Sequence, residues 1–123
     1  MLSRKNVIIV VDDDKAVRES LKFSLQLDGM DVHVCDSAAA LLDYPGLDDA
    51  ACLVVDYRMP ETDGFALREK LAARGVSAPQ ILMTAPVSSA LRHRAKVAGF
   101  FAILEKPLLD DVLLRNVRAA IGD

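Results

Sequence analysis

Short apolar runs, each closed by polar or turn-forming residues, recur along the chain, and helix-period patterns fill the intervals between them. Val7 to Val11 is continuously apolar and ends in Asp12-Asp13-Asp14, the form of a central strand covered on both faces. Helical spacing follows, with Val17, Leu21 and Leu25, and Phe23 beside them, on the inner side. That pattern stops at Asp28-Gly29, where glycine readily ends a helix. Asp31 to Cys35 alternates as a second strand, and Ser37 caps a short alanine- and leucine-rich helix ending before Tyr44-Pro45-Gly46. Cys52 to Asp56 is again strand-like: Leu53-Val54-Val55 drives toward one carboxylate, and the chain breaks at Met59-Pro60. A helix is expected from near Glu61, through Phe65, Leu67 and Leu71, to Gly75. Gln80 to Thr84 reads as a fourth strand and Ser88-Ser89 to Gly99 as a fourth helix. Phe101 to Leu104 is a short fifth strand, and Leu109 to Ile121 a last amphipathic helix.

Strands and helices thus alternate five times, without repeats, linkers or low-complexity tracts. Such alternation implies right-handed crossovers and a parallel sheet with helices on both faces. The expected fold is α/β, a doubly wound, flavodoxin-like sheet of order 2-1-3-4-5, whose order reverses between strands 1 and 3. The carboxyl ends of those two strands carry Asp12, Asp13 and Asp56, which become neighbours at one crevice.

A length of 123 residues, 52% of them hydrophobic, suits one compact domain over 1–123. A net charge of −3 gives no bias toward direct nucleic-acid binding or anionic membranes. No apolar run approaches the ~20 residues of a bilayer span. Met1 to Asn6 leads into a strand rather than a signal peptide, so a cytoplasmic location is expected. Cys35 and Cys52 sit in separate strand patterns as small buried thiols.

Three carboxylates converging at a sheet rim repel one another, and a hard divalent cation such as Mg²⁺ resolves the conflict. Thr84 ends strand 4 and Lys106 follows strand 5, so a hydroxyl and an ammonium border the same crevice. Together they form a pocket for a phosphoryl group, with Asp56 as acceptor nucleophile. Taken singly, each residue has a plainer role. Asp56 caps a turn, Asp12 to Asp14 form a solvated helix start, Thr84 ends a strand and Lys106 lies in a turn before Pro107. Their joint placement at four strand ends on one side of a sheet favours the site.

Val10-Val11-Asp12-Asp13, then Val55-Asp56-Tyr57-Arg58-Met59-Pro60 with Asp63-Gly64, then Thr84-Ala85, then Glu105-Lys106-Pro107 resemble a response-regulator receiver (CheY-like) domain of two-component systems. The similarity runs from about Asn6 to Ile121, and its details resemble the nitrogen-fixation-type transcriptional regulators. The resemblance implies that Asp56 accepts a phosphoryl group from a sensor histidine kinase. Asp13, Asp56 and the main-chain carbonyl of Arg58 would bind Mg²⁺, and Asp12 would act largely through water. Lys106 and Thr84 would contact the phosphoryl oxygens, and the Lys106–Pro107 bond would be cis. It further implies a self-catalysed switch rather than a turnover enzyme. A homodimer through helix 4, strand 5 and helix 5 is a further implication, as is a DNA-binding output domain beyond residue 123.

Two departures stand out. Ile103 occupies a position where the family usually has Phe or Tyr, and its β-branch restricts its rotamers. Phe101, two residues earlier on the same strand face, either substitutes for that ring or is a core residue. Pro86 restricts the loop after Thr84. Arg92, His93, Arg94 and Lys96 form a basic face on helix 4, either solvated or used by a partner, and His33 reads as structural. Two rival functions are a receiver-like interaction module that is never phosphorylated and a haloacid-dehalogenase-type phosphohydrolase. The second would use Asp12 as nucleophile, but that family has Thr or Val where this chain has Ala16. A flavin site is disfavoured by the lack of a Ser/Thr/Gly-rich loop after strand 1.

Overall fold

The computed structural model describes residues 6–109 and 111–122; the expected lead-in before Asn6, with Asp110 and Asp123, lies outside them. In chain order the elements are β1 (Val7–Val11), α1 (Lys15–Leu27), β2 (Asp31–Cys35), α2 (Ala38–Leu42), β3 (Cys52–Asp56), α3 (Gly64–Ala73), β4 (Gln80–Thr84), α4 (Ser89–Ala98), β5 (Ala102–Glu105) and α5 (Val112–Ala120). A single 3₁₀ turn, Leu47–Asp49, precedes β3. All strand pairings are parallel and the order is β2-β1-β3-β4-β5. This is the doubly wound sheet expected from the alternation.

Period-two alternation divides the core. Ile8, Val10, Val54, Ile81 and Met83 face α1 and α5, meeting Leu21, Leu25, Leu113 and Val117. Ile9, Val11, Leu53 and Val55 face the other way and pack on Leu41, Leu67 and Leu71 of α2 and α3. A smaller cluster of Phe65, Leu82, Ala95, Phe100 and Ile103 seats α4. Cys35 and Cys52 are buried and unbridged. Burial, with Asp36 nearby for Cys35, pushes their thiols up to about 11 and about 12, so both are protonated and inert at neutral pH.

Four expected boundaries or placements shift. Phe23 is 65% exposed, because two residues from Leu21 is about 200° around a helix, away from the buried stripe. The third helix begins at Gly64 rather than near Glu61: Glu61 has φ 71°, which no helix continues, and Asp63 caps the start by accepting from the Ala66 N–H at 2.8 Å. Gly64 permits close approach there, since a Cβ on it would meet Leu82 Cδ1 at 2.6 Å and the Asp56 carbonyl oxygen at 3.2 Å. The last helix begins at Val112 rather than Leu109, and Leu108 and Leu109 stay in the loop beside α1. The fifth strand begins at Ala102, and Phe101 is 46% exposed, so Phe101 is not a core residue. Phe100 fills the core instead.

Gln80 opens β4 at 1% exposure, and neither side-chain amide atom has a hydrogen-bond partner among the described residues. An unpaired buried amide is costly. Gln80→Met keeps the length of the side chain and removes both polar atoms. Urea unfolding should show a gain of about 1–2 kcal/mol; an unchanged or lower midpoint would mean the amide is satisfied in solution.

Candidate functional site

Acidic side chains gather where the strand order reverses. Asp12 follows β1 and is 0% exposed, Asp56 is the last residue of β3 at 6%, and Asp13 is exposed. One carboxylate oxygen from each lies within 4.8 Å of the others. The loop after β1 is held by its own hydrogen bonds. The Asp12 N–H donates to the Cys35 carbonyl at 3.2 Å, and Asp12 Oδ1 accepts from the Asp14 N–H at 2.9 Å. Asp14 turns away and caps α1, accepting from the N–H groups of Ala16 and Val17. The plain role of a helix start therefore belongs to Asp14, and the other two acids belong to the crevice.

Lys106 reaches the same crevice from the end of β5. Its Nζ lies 2.7 Å from Asp12 Oδ2 and 3.2 Å from Asp56 Oδ1. Its N–H donates to the Thr84 carbonyl at 2.8 Å, which ties the ends of β4 and β5 together. The peptide before Pro107 is cis, as expected, and the Ala85–Pro86 peptide is cis as well. Thr84 is buried at the end of β4, one residue beyond Met83, the residue paired with Asp56. Asp12, Asp13, Asp56, Thr84 and Lys106 therefore share one end of the sheet. Arg58 lies two residues past Asp56 and is exposed, its guanidinium 5.3 Å from the centre of the Tyr57 ring.

Charge in the crevice is unbalanced, with three carboxylates facing one ammonium. Burial, then the charge of Asp12, raise the Asp56 pKa above its ordinary value despite the pull of Lys106, and Asp13 adds to the rise. Burial disfavours the charged Lys106, but its hydrogen bonds and charge pairing with Asp12 and Asp56 outweigh that and raise its pKa. Excess negative charge on oxygen-only donors within mutual reach fits a small hard cation such as Mg²⁺. The residues present therefore suit the metal that the sequence reading called for.

Two features escaped the sequence reading. Arg18, one turn into α1, donates from Nη1 to the main-chain carbonyl of Asp12 at 2.8 Å; its only signal was its place near the start of a helix that follows the acidic triplet. Tyr57, Phe65 and Phe100 form a chain of edge-to-face rings with centroids 5.4 Å apart at each step. Arg94 of α4 lies 3.9 Å above the Phe65 ring, so one member of the basic face is stacked rather than merely solvated. His33 bonds to Tyr44 and to Asp31, as a structural residue does.

The crevice lies at the switch point of a 2-1-3-4-5 sheet, lined by acids two of which Lys106 bridges, which is where doubly wound α/β proteins place their ligands. The chain belongs to the response regulator receiver domain family, whose model matches residues 8–118. It is 42% identical over 113 residues to the transcriptional regulatory protein FixJ of Azorhizobium caulinodans, covering 92% of this chain and 54% of that protein. The response regulator MprA of Mycobacterium avium is 37% identical over 114 residues, covering 93% and 50%. The crystal structure of FixJ-N superposes with a TM-score of 0.83 at 29% identity, covering 98% of this chain and 96% of that one. The chain thus spans about half the length of the curated relatives it matches, and it is a response regulator receiver of the two-component class.

Proposed function

We propose that Asp56 accepts a phosphoryl group from a sensor histidine kinase, and that this switches the face formed by α4, β5 and α5. The carrying observation is the Asp56 carboxylate itself. It ends β3 between the acids of β1 and the ammonium of Lys106. One Asp56 oxygen attacks phosphorus, the donor P–N bond breaks, an acyl phosphate forms, and the leaving imidazole takes up a proton. Asp13, Asp56 and the Arg58 carbonyl would hold Mg²⁺ directly and Asp12 through water; the ion would supply charge neutralisation for the phosphoryl oxygens. Lys106 is positioned to exchange a carboxylate partner for a phosphoryl oxygen. Thr84 donates to another oxygen and draws the β4–α4 loop inward. Phe101, half out of the core beside β5, supplies a ring that can change its packing in place of Ile103.

The domain catalyses only its own phosphorylation and dephosphorylation, and so is a switch rather than a turnover enzyme. A donor histidine must come up beside Lys106. There an apolar groove of about 550 Å³, lined by Val17, Leu21, Pro107, Leu108 and Leu109, opens between α1 and the loop before α5. It suits the apolar side of a kinase helix. The name of the relative described as a transcriptional regulatory protein favours a role in transcription. A cytoplasmic location, a DNA-binding output domain and a homodimer through α4, β5 and α5 are further parts of the proposal, which membership of the family suggests. Among the described residues no helix is long and apolar enough to cross a membrane.

The phosphohydrolase alternative requires Asp12 as nucleophile. Asp12 is fully buried and both its oxygens are engaged, by the Asp14 N–H and Lys106, which disfavours it. Treatment with acetyl phosphate and Mg²⁺, followed by peptide mass spectrometry, should place one phosphoryl group on Asp56 and none after EDTA. A label on Asp12 would establish the hydrolase reading instead. No label with either donor, acetyl phosphate or kinase, would leave the unphosphorylated interaction module.

A further inference from the structure

We infer that Arg18 is a positioning residue for the metal-binding half of the site, acting through the peptide that joins Asp12 to Asp13. The inference rests on the reading of Asp12, Asp13 and Asp56 as a Mg²⁺ site. Asp12 is anchored at every polar atom. Its N–H donates to Cys35, Oδ1 accepts from Asp14, Oδ2 accepts from Lys106, and its carbonyl accepts from Arg18. Asp13 differs: among the described residues no hydrogen bond holds its exposed carboxylate. The direction in which Asp13 presents that carboxylate depends on the backbone to either side of it. Downstream, Asp14 is fixed as the cap of α1. Upstream, the contact that pins the Asp12–Asp13 peptide plane from its carbonyl side is the guanidinium of Arg18.

The geometry follows from the helix. The Arg18 N–H donates to the Asp14 carbonyl at 3.0 Å, in the first turn of α1. Helical side chains lean toward the N-terminus, so a long side chain here covers the loop that carries the acids. The residue is half-buried, and its head reaches the Asp12 carbonyl.

Arg18 carries a positive charge next to a proposed cation site, and this makes the inference sharply testable. As a charge alone, it repels Mg²⁺, and its removal would tighten binding. As a positioning group it orders the ligands, and its removal weakens binding, as loss of outer-shell partners generally does. The two effects have opposite signs.

The chain contains no tryptophan, so Mg²⁺ binding is followed by amide NMR shifts at fixed ionic strength. Wild type, Arg18→Met (stem kept, donor and charge lost) and Arg18→Lys (donor and charge kept) are titrated with Mg²⁺. Arg18→Met should bind roughly tenfold more weakly, and Arg18→Lys within about twofold of wild type. Without metal, the Asp13 and Asp14 amides should exchange with solvent faster in Arg18→Met and not in Arg18→Lys. Equal or tighter Mg²⁺ binding by Arg18→Met would overturn the inference, and so would unchanged exchange. If wild type itself binds no Mg²⁺, the metal reading fails while the metal-free exchange still decides whether Arg18 orders the loop. Should Arg18→Met lose its native spectrum, Arg18→Gln, too short to reach the carbonyl, replaces it with the same expected direction.

Discussion

Asp56→Asn protein takes up no phosphoryl group from acetyl phosphate or a kinase, and in Mg²⁺-free buffer at neutral pH it unfolds at a higher temperature than wild type. The first half follows from the loss of the only proposed nucleophile. The second follows from the charge imbalance in the crevice. Burial and the neighbouring charges of Asp12 and Asp13 raise the Asp56 pKa above its ordinary value, even with Lys106 3.2 Å away. A carboxyl group whose pKa is raised on folding favours the folded state below its unfolded value, and this contribution is lost as pH rises through the folded value. At neutral pH the ionised Asp56 therefore works against folding, and an uncharged amide of the same shape relieves it. The gap between variant and wild type should narrow as the pH falls toward the ordinary carboxylate range. Each kcal/mol relieved moves Tm by roughly 4 °C in a chain of this size. Mg²⁺ should reverse the order, because a ligand that binds only the folded state stabilises wild type by mass action. Thermal melts across pH, with and without Mg²⁺, test this; a less stable Asp56→Asn in EDTA would show that the Lys106 pair outweighs the repulsion.

Lys106→Met should have the opposite effect on stability. Lys106 bridges Asp12 and Asp56, and its raised pKa means that the charged form favours the folded state. That contribution is complete below the ordinary lysine value and is lost only as pH rises through the higher folded value. Its removal leaves two buried carboxylates without a counter-charge across the neutral range. Breaking a fully buried pair costs about 3–5 kcal/mol. The Lys106 side chain is 24% exposed, so about 2 kcal/mol is the better expectation, a fall in Tm of roughly 8 °C. Mg²⁺ should recover part of the loss, since a cation can take over the neutralising role. Denaturation of Lys106→Met in EDTA at neutral pH gives the answer, and a midpoint equal to that of wild type would mean that the crevice is neutralised in some other way.

These two side chains illustrate how much of the site was legible in the primary structure. Asp12, Asp13, Asp56, Thr84 and Lys106 each lie at or just past the carboxyl end of a strand. In a parallel sheet all such ends lie on one side. Recognising the strands, with their short β-branched runs and clear turn signals, was therefore enough to bring the residues together. The order β2-β1-β3-β4-β5 then set the acids of β1 beside Asp56. Legibility failed where neighbouring residues of one chemical type take different environments. Phe100 and Phe101 are adjacent and equally apolar, but one fills the α4 cluster and the other is half-exposed. Register against β4 decides between them. The three aspartates after β1 are also chemically identical, and only the path of the loop into α1 separates a buried acid, an exposed acid and a helix cap.

By itself, then, the sequence determined the alternation of elements, the parallel topology and the gathering of Asp56 with Asp12, Asp13, Thr84 and Lys106 at one sheet edge, because each is written in local periodicity and in what ends a strand. Tertiary structure alone decided which acid is buried and how far Lys106 reaches. It also decided that Glu61 turns the chain before α3, that Gln80 is sealed without a partner among the described residues, and that Arg18 closes on the carbonyl of Asp12. These depend on distances between segments remote in the chain or on backbone angles in loops, and no pattern of apolar and polar residues encodes either.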